Sequence, residues 1–140
     1  MRQIPPGAKG SFTLVVQPER LANRFKDAAL PPVFATPVMI MVMENAALNA
    51  IKPYLEPSES AVGTEINVRH LAPTVAGRIV TGEAEVTKID GRRIEFRVRA
   101  TEGDREIGTA NSHCARRRPT CTLSTNVRTA GFGSPGGDRG

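Results

Sequence analysis

The chain has no tryptophan and one tyrosine among its 140 residues, so any core it builds must be aliphatic and methionine-rich. Cysteine is scarce as well. Cys114 and Cys121 are the only two, and their spacing makes a poor disulfide framework, which points to a reducing compartment. No apolar run reaches the ~18 residues that a membrane-spanning helix needs. The opening Met1-Arg2-Gln3-Ile4-Pro5-Pro6-Gly7 lacks the apolar segment of a secretory signal. A cytoplasmic protein with no membrane partner is expected. Phosphate-cradling glycine loops and the Gly-x-Ser-x-Gly elbow are also missing. His113, Cys114 and Cys121 do not have the spacing of a structural zinc site, so no metal is expected.

Basic charge is present, but not where a nucleic-acid surface would need it. The formal net charge is +5. Residues 117–140 hold Arg117, Arg118, Arg128 and Arg139 against Asp138, a net of +3, leaving +2 for the rest. With no aromatics interleaved among the basic residues, no nucleic-acid partner is expected. The length suits one core. We read 1–116 as the domain and 117–140 as an Arg/Gly-rich, disordered C-terminal tail.

Residues 11–16 read as a strand, and 18–32 as a short helical turn followed by a loop. Thr36 suits an N-cap and Pro37 the first helical position. The residues from Val38 to Ile51 that follow are apolar on every side over their first two turns, the mark of a helix buried all round. Lys52-Pro53 closes it. In residues 62–70, Val62, Thr64, Ile66, Val68 and His70 point one way, and Gly63, Glu65, Asn67 and Arg69 the other. A strand from about 78 to 89 turns at Asp90-Gly91. The next sets Ile94, Phe96, Val98 and Ala100 against Arg93, Glu95, Arg97 and Arg99. After Gly103-Asp104 a last strand runs from Arg105 to about Ser112. This order predicts an α+β hot-dog fold, a curved antiparallel sheet wrapped around one long buried helix. Such a sheet cannot cover the helix completely, so a homodimer is expected.

Glu44 is the most informative residue, since a carboxylate inside an apolar helix loses hydration unless it is paired or protonated. Burial would raise its pKa and suit it to general acid, base or nucleophilic work. Snorkelling to a groove or pairing with an arginine is the structural alternative. His70 lies in phase with Val68 and Ile66, facing the helix, either as a core residue or as a proton carrier. Thr36 is explained by capping, though a helix N-terminus also offers free N–H groups, from Val38 onward, that can polarise a carbonyl.

Val33-Phe34-Ala35-Thr36, Met43-Glu44, Tyr54-Leu55-Glu56-Pro57, Val62-Gly63-Thr64, Val68-Arg69-His70, Gly91-Arg92-Arg93 and Glu106-Ile107-Gly108 together resemble the fluoroacetyl-CoA thioesterase family of hot-dog proteins. The similarity covers roughly 10–110. It implies a catalytic triad of Thr36, Glu44 and His70, with Gly63 beside the substrate carbonyl. It also implies an acyl-CoA substrate and no separate cofactor, coenzyme A being part of the substrate. Eight residues of straight helix would hold Thr36 and Glu44 about 12 Å apart along the axis, so a site using both is expected at the dimer interface. The family's aromatic lid has no counterpart in Asp27-Ala28-Ala29-Leu30-Pro31-Pro32. The expected reaction is therefore hydrolysis of an ordinary short-chain acyl-CoA rather than of fluoroacetyl-CoA. A non-catalytic hot-dog protein binding acyl-CoA or another hydrophobic ligand is the alternative. A hydratase of the same fold is less well matched, for want of an Asp-His pairing.

Overall fold

The computed structural model describes residues 2–117. Strand β1 (Lys9–Val15) is followed by a 3-10 turn (Pro18–Arg20), the short helix α1 (Ala22–Phe25) and the long helix α2 (Thr36–Ile51). A second 3-10 turn (Lys52–Tyr54) leads into β2 (Ser60–His70), β3 (Ile79–Asp90), β4 (Arg93–Glu102) and β5 (Arg105–Arg117). The strands form one antiparallel sheet in the order β1-β3-β4-β5-β2, which leaves β1 and β2 at its edges.

The alternation in β4 appears as read: Ile94, Phe96, Val98 and Ala100 are buried against the helix side. Arg97 and Arg99 face outward beside Glu85 and Glu83 of β3. The hairpins turn on Gly91 (φ 63°) and Gly103 (φ 62°), left-handed conformations that glycine adopts without a Cβ clash. Helix α2 lies directly on backbone at Gly82, where an added Cβ would come within 2.9 Å of the Val42 carbonyl oxygen. Gly10 is set against Ala46 and Ala50 in the same way.

Three expectations are corrected. Helix α2 is not buried all round. Val38, Met39, Val42, Met43, Ala46 and Ala50 are buried, whereas Ile40, Met41 and Leu48 are half-buried and Pro37 and Glu44 exposed. One sheet covers one side of a cylinder, and the stripe at 37, 40–41, 44 and 48 is what remains. Strand β5 continues past Ser112 to Arg117. Ser112, Cys114 and Arg116 keep the inward phase there, and the inward Arg116 is neutralised by Glu59 at 2.8 Å. The alternation in β2 breaks as well. Its pairing with β5 slips between Gly63 and Glu65, so a β-bulge at Thr64 absorbs one residue. Gly63 pairs with inward Cys114, and Ile66 with inward Ser112. Val62 is instead exposed, at 42%. The expected tail, apart from Arg117, and Cys121 lie outside the described residues.

Candidate active site

The segment that delivers Thr36 is fixed on both sides. Phe34 N–H donates to the Thr74 carbonyl (2.7 Å) and Ala35 N–H to the Arg20 carbonyl (3.0 Å). Ala35, in an extended conformation, occupies the N-cap, and no side chain caps the helix. Val38 and Met39 both donate to the Ala35 carbonyl, at 3.0 and 3.1 Å. The N–H groups expected to be free from Val38 onward are thus already engaged. Thr36 is not the cap: its Oγ1 lies 2.7 Å from Nδ1 of His70.

His70 ends β2 and is half-buried. Desolvation lowers its pKa below 6.5, and a backbone contact at Ala72 partly opposes this. The ring is therefore neutral near pH 7. Its Nε2 is buried without a hydrogen-bond partner among the described residues. A neutral imidazole held at one nitrogen and bare at the other can accept or carry a proton.

Glu44 does not sit in the core as expected. It is exposed, on the stripe of α2 that the sheet leaves uncovered, and it lines a cleft of about 210 Å³ between α2 and the strands β2, β4 and β5. Gly63 faces it so closely that a Cβ there would stand 3.0 Å from Glu44 Oε2. The bulge makes this possible: Gly63 and His70 are an odd number of residues apart, and an unbroken strand would turn one of them away. Thr64 Oγ1 bonds the His113 carbonyl at 3.2 Å beside the bulge.

The four residues fall into two pairs, Thr36 with His70 and Glu44 with Gly63. Seven residues of strand put the pairs on the order of 20 Å apart within one chain. Among the described residues no group of His, Cys, Asp and Glu is arranged to hold a metal ion. His113 is engaged instead by Arg93 (2.8 Å) and Glu65 (3.1 Å). Sequence reasoning missed the buried Glu59–Arg116 pair. Arg116 also donates to the carbonyls of Arg2 (2.6 Å) and Tyr54 (3.0 Å).

Comparison with known proteins supplies the decisive observation. The sequence profile of the fluoroacetyl-CoA-specific thioesterase family, FlK, matches residues 16–115. The chain belongs to this family. The thioesterase is 48% identical over 108 residues to a fluoroacetyl-CoA thioesterase of Streptantibioticus cattleyicolor, covering 74% of this chain and 78% of the relative. A solved structure of the fluoroacetyl-CoA thioesterase FlK superposes with a TM-score of 0.84 at 34% identity, over 95% of this chain and 99% of that one. A Thermus thermophilus protein described as a thioesterase superfamily member gives 0.83 at 32% identity, over 93% and 96%. The hot-dog fold and the assignment as a thioester hydrolase stand on these matches. Among the described residues no helix is long and apolar enough to cross a membrane.

Proposed function

We propose that the thioesterase hydrolyses a short-chain acyl-CoA to the free acid and coenzyme A, at sites shared between two chains of a homodimer. Thr36 and His70 of one chain would face Glu44 and Gly63 of the other. The observation that carries this reading is the 2.7 Å contact of Thr36 with His70 Nδ1, which leaves a buried Nε2 with no hydrogen-bond partner among the described residues. Two features support the shared site. Strand β2 is a sheet edge with an unpaired row of backbone groups. With Thr64 counted as the extra residue of the bulge, positions 63 and 70 lie symmetrically about Asn67, so antiparallel pairing of β2 with its own copy about a two-fold there sets Gly63 opposite His70.

In this arrangement Nδ1–H of His70 donates to Thr36 Oγ1, whose own hydroxyl proton is free to bond the thioester carbonyl oxygen and draw charge onto it. Nε2 takes the proton of the attacking water. Glu44 accepts a hydrogen bond from that same water and aims its oxygen at the acyl carbon, and Gly63, lacking a side chain, lets the carbonyl approach. The tetrahedral adduct then expels the coenzyme A thiolate, which takes up the proton from Nε2. No cofactor is needed. The protein would work in the cytoplasm, where acyl-CoA thioesters and the free thiol of Cys114 coexist.

A thiol-release assay over a panel of acyl-CoA thioesters tests this. Glu44→Gln and His70→Ala should each lose about 10²-fold or more in kcat/KM. Equal turnover by both variants and the wild type would reject the mechanism. Tight binding without turnover would favour the binding-protein alternative.

A further inference from the structure

We propose that the cleft behind Glu44 is the acyl-chain pocket, and that the preferred substrate carries an apolar acyl group of about four to six carbons rather than two. This rests on the reading that Glu44 and Gly63 flank the thioester carbonyl. The cleft opens at these two residues and runs between α2 and the first half of β2. Leu48, Ile51, Ala61, Phe96 and Cys114 are among the residues lining it. Asn45, Ser112 and His113 add polar groups to the lining, and the remaining wall is apolar or small, which suits a hydrocarbon tail attached to a reacting carbonyl. Burial pushes the Cys114 thiol up to about 11, so it serves as neutral wall and not as a competing nucleophile.

The size of the pocket sets the chain length. Its volume is about 210 Å³, somewhat more than the ~150 Å³ of an apolar cavity that holds the six carbons of benzene. A two-carbon acyl group leaves this space unfilled, whereas each added methylene that enters it should raise kcat/KM about three- to fourfold. A chain longer than about eight carbons would exceed this volume.

The test is a chain-length series, acetyl- to decanoyl-CoA, read as kcat/KM on the full-length protein. The expected profile rises at least tenfold from acetyl to hexanoyl and falls by decanoyl. Cys114→Leu and Ala61→Leu, which fill the cleft from two neighbouring strands of its sheet wall, should each lower the hexanoyl-to-acetyl ratio at least tenfold. A profile that is flat or highest at acetyl overturns the pocket while leaving the hydrolase intact, and so does an unchanged ratio in both variants. Absence of turnover with every thioester overturns both. The wild-type series stands by itself should either variant fail to fold.

Discussion

A threonine at the head of a helix ordinarily gives its hydroxyl to the first free N–H groups. Thr36 gives its hydroxyl to His70, because Ala35 already holds the cap position and Pro37 has no N–H to satisfy. Thr36→Ser keeps the hydroxyl and should stay within about threefold of wild-type kcat/KM, whereas Thr36→Val should lose about 10- to 100-fold with little change in thermal stability. The imidazole makes a second expectation. Its folded pKa lies below 6.5, so kcat/KM should rise through an apparent value under 6.5 and then level off, as measured on a pH series. The same shift couples to folding. Between the folded value and 6.5 the unfolded chain binds more protons than the native one. The stability that the neutral ring retains above pH 6.5 is therefore lost as pH falls through the folded value. Melting temperatures at pH 7.5 and 5.5 should show this loss in the wild type and a smaller one in His70→Asn.

Among the elements, β4 and its hairpins were legible in the sequence, because a half-buried strand alternates strictly and a tight turn asks for glycine. β2 was not. One extra residue at the bulge reversed its phase, and Gly63 inside a strand was the available signal. The burial of Glu44 was misjudged for a different reason. Apolar residues on all sides of a helix state that it is covered but not by what, and Ile40, Met41 and Leu48 are here left half-open by their own sheet. The helical spacing already kept Thr36 and Glu44 apart, but nothing in the sequence says that His70 would join Thr36 and Gly63 would join Glu44. The end of β5 looked unlike a strand because Arg116 is inward-facing and charged. It is stabilised there by Glu59, whose carboxyl is held below its ordinary range chiefly by hydrogen bonding from Arg116. Arg116→Met strands that carboxylate and should cost about 2–4 kcal/mol in urea unfolding. Adding Glu59→Leu should recover much of the loss. Glu59 contributes its share of stability above pH 4.5, and that share is lost as pH falls through its lowered pKa.

At the scale of the whole molecule, the bare edge of β2 and the two half-sites make one experiment decisive. Glu44→Gln and His70→Ala, each inactive alone, should regain up to about a quarter of wild-type activity when unfolded and refolded as an equal mixture. Half of the resulting pairs are mixed, and each mixed pair rebuilds one intact site from the good half of each chain. A site confined to a single chain would show no recovery. Hydrolysis would also become a property of the pair, with specific activity falling on dilution below the dissociation constant.

The shared site proposed above also has a genetic consequence. A chain damaged at one end still lends its sound end to a neighbour, so in mixed populations output should fall in simple proportion to the number of damaged copies. A chain damaged at both ends lends nothing and occupies a partner. Output should then fall as the square of the intact fraction, making it the stronger poison when co-produced with the intact form.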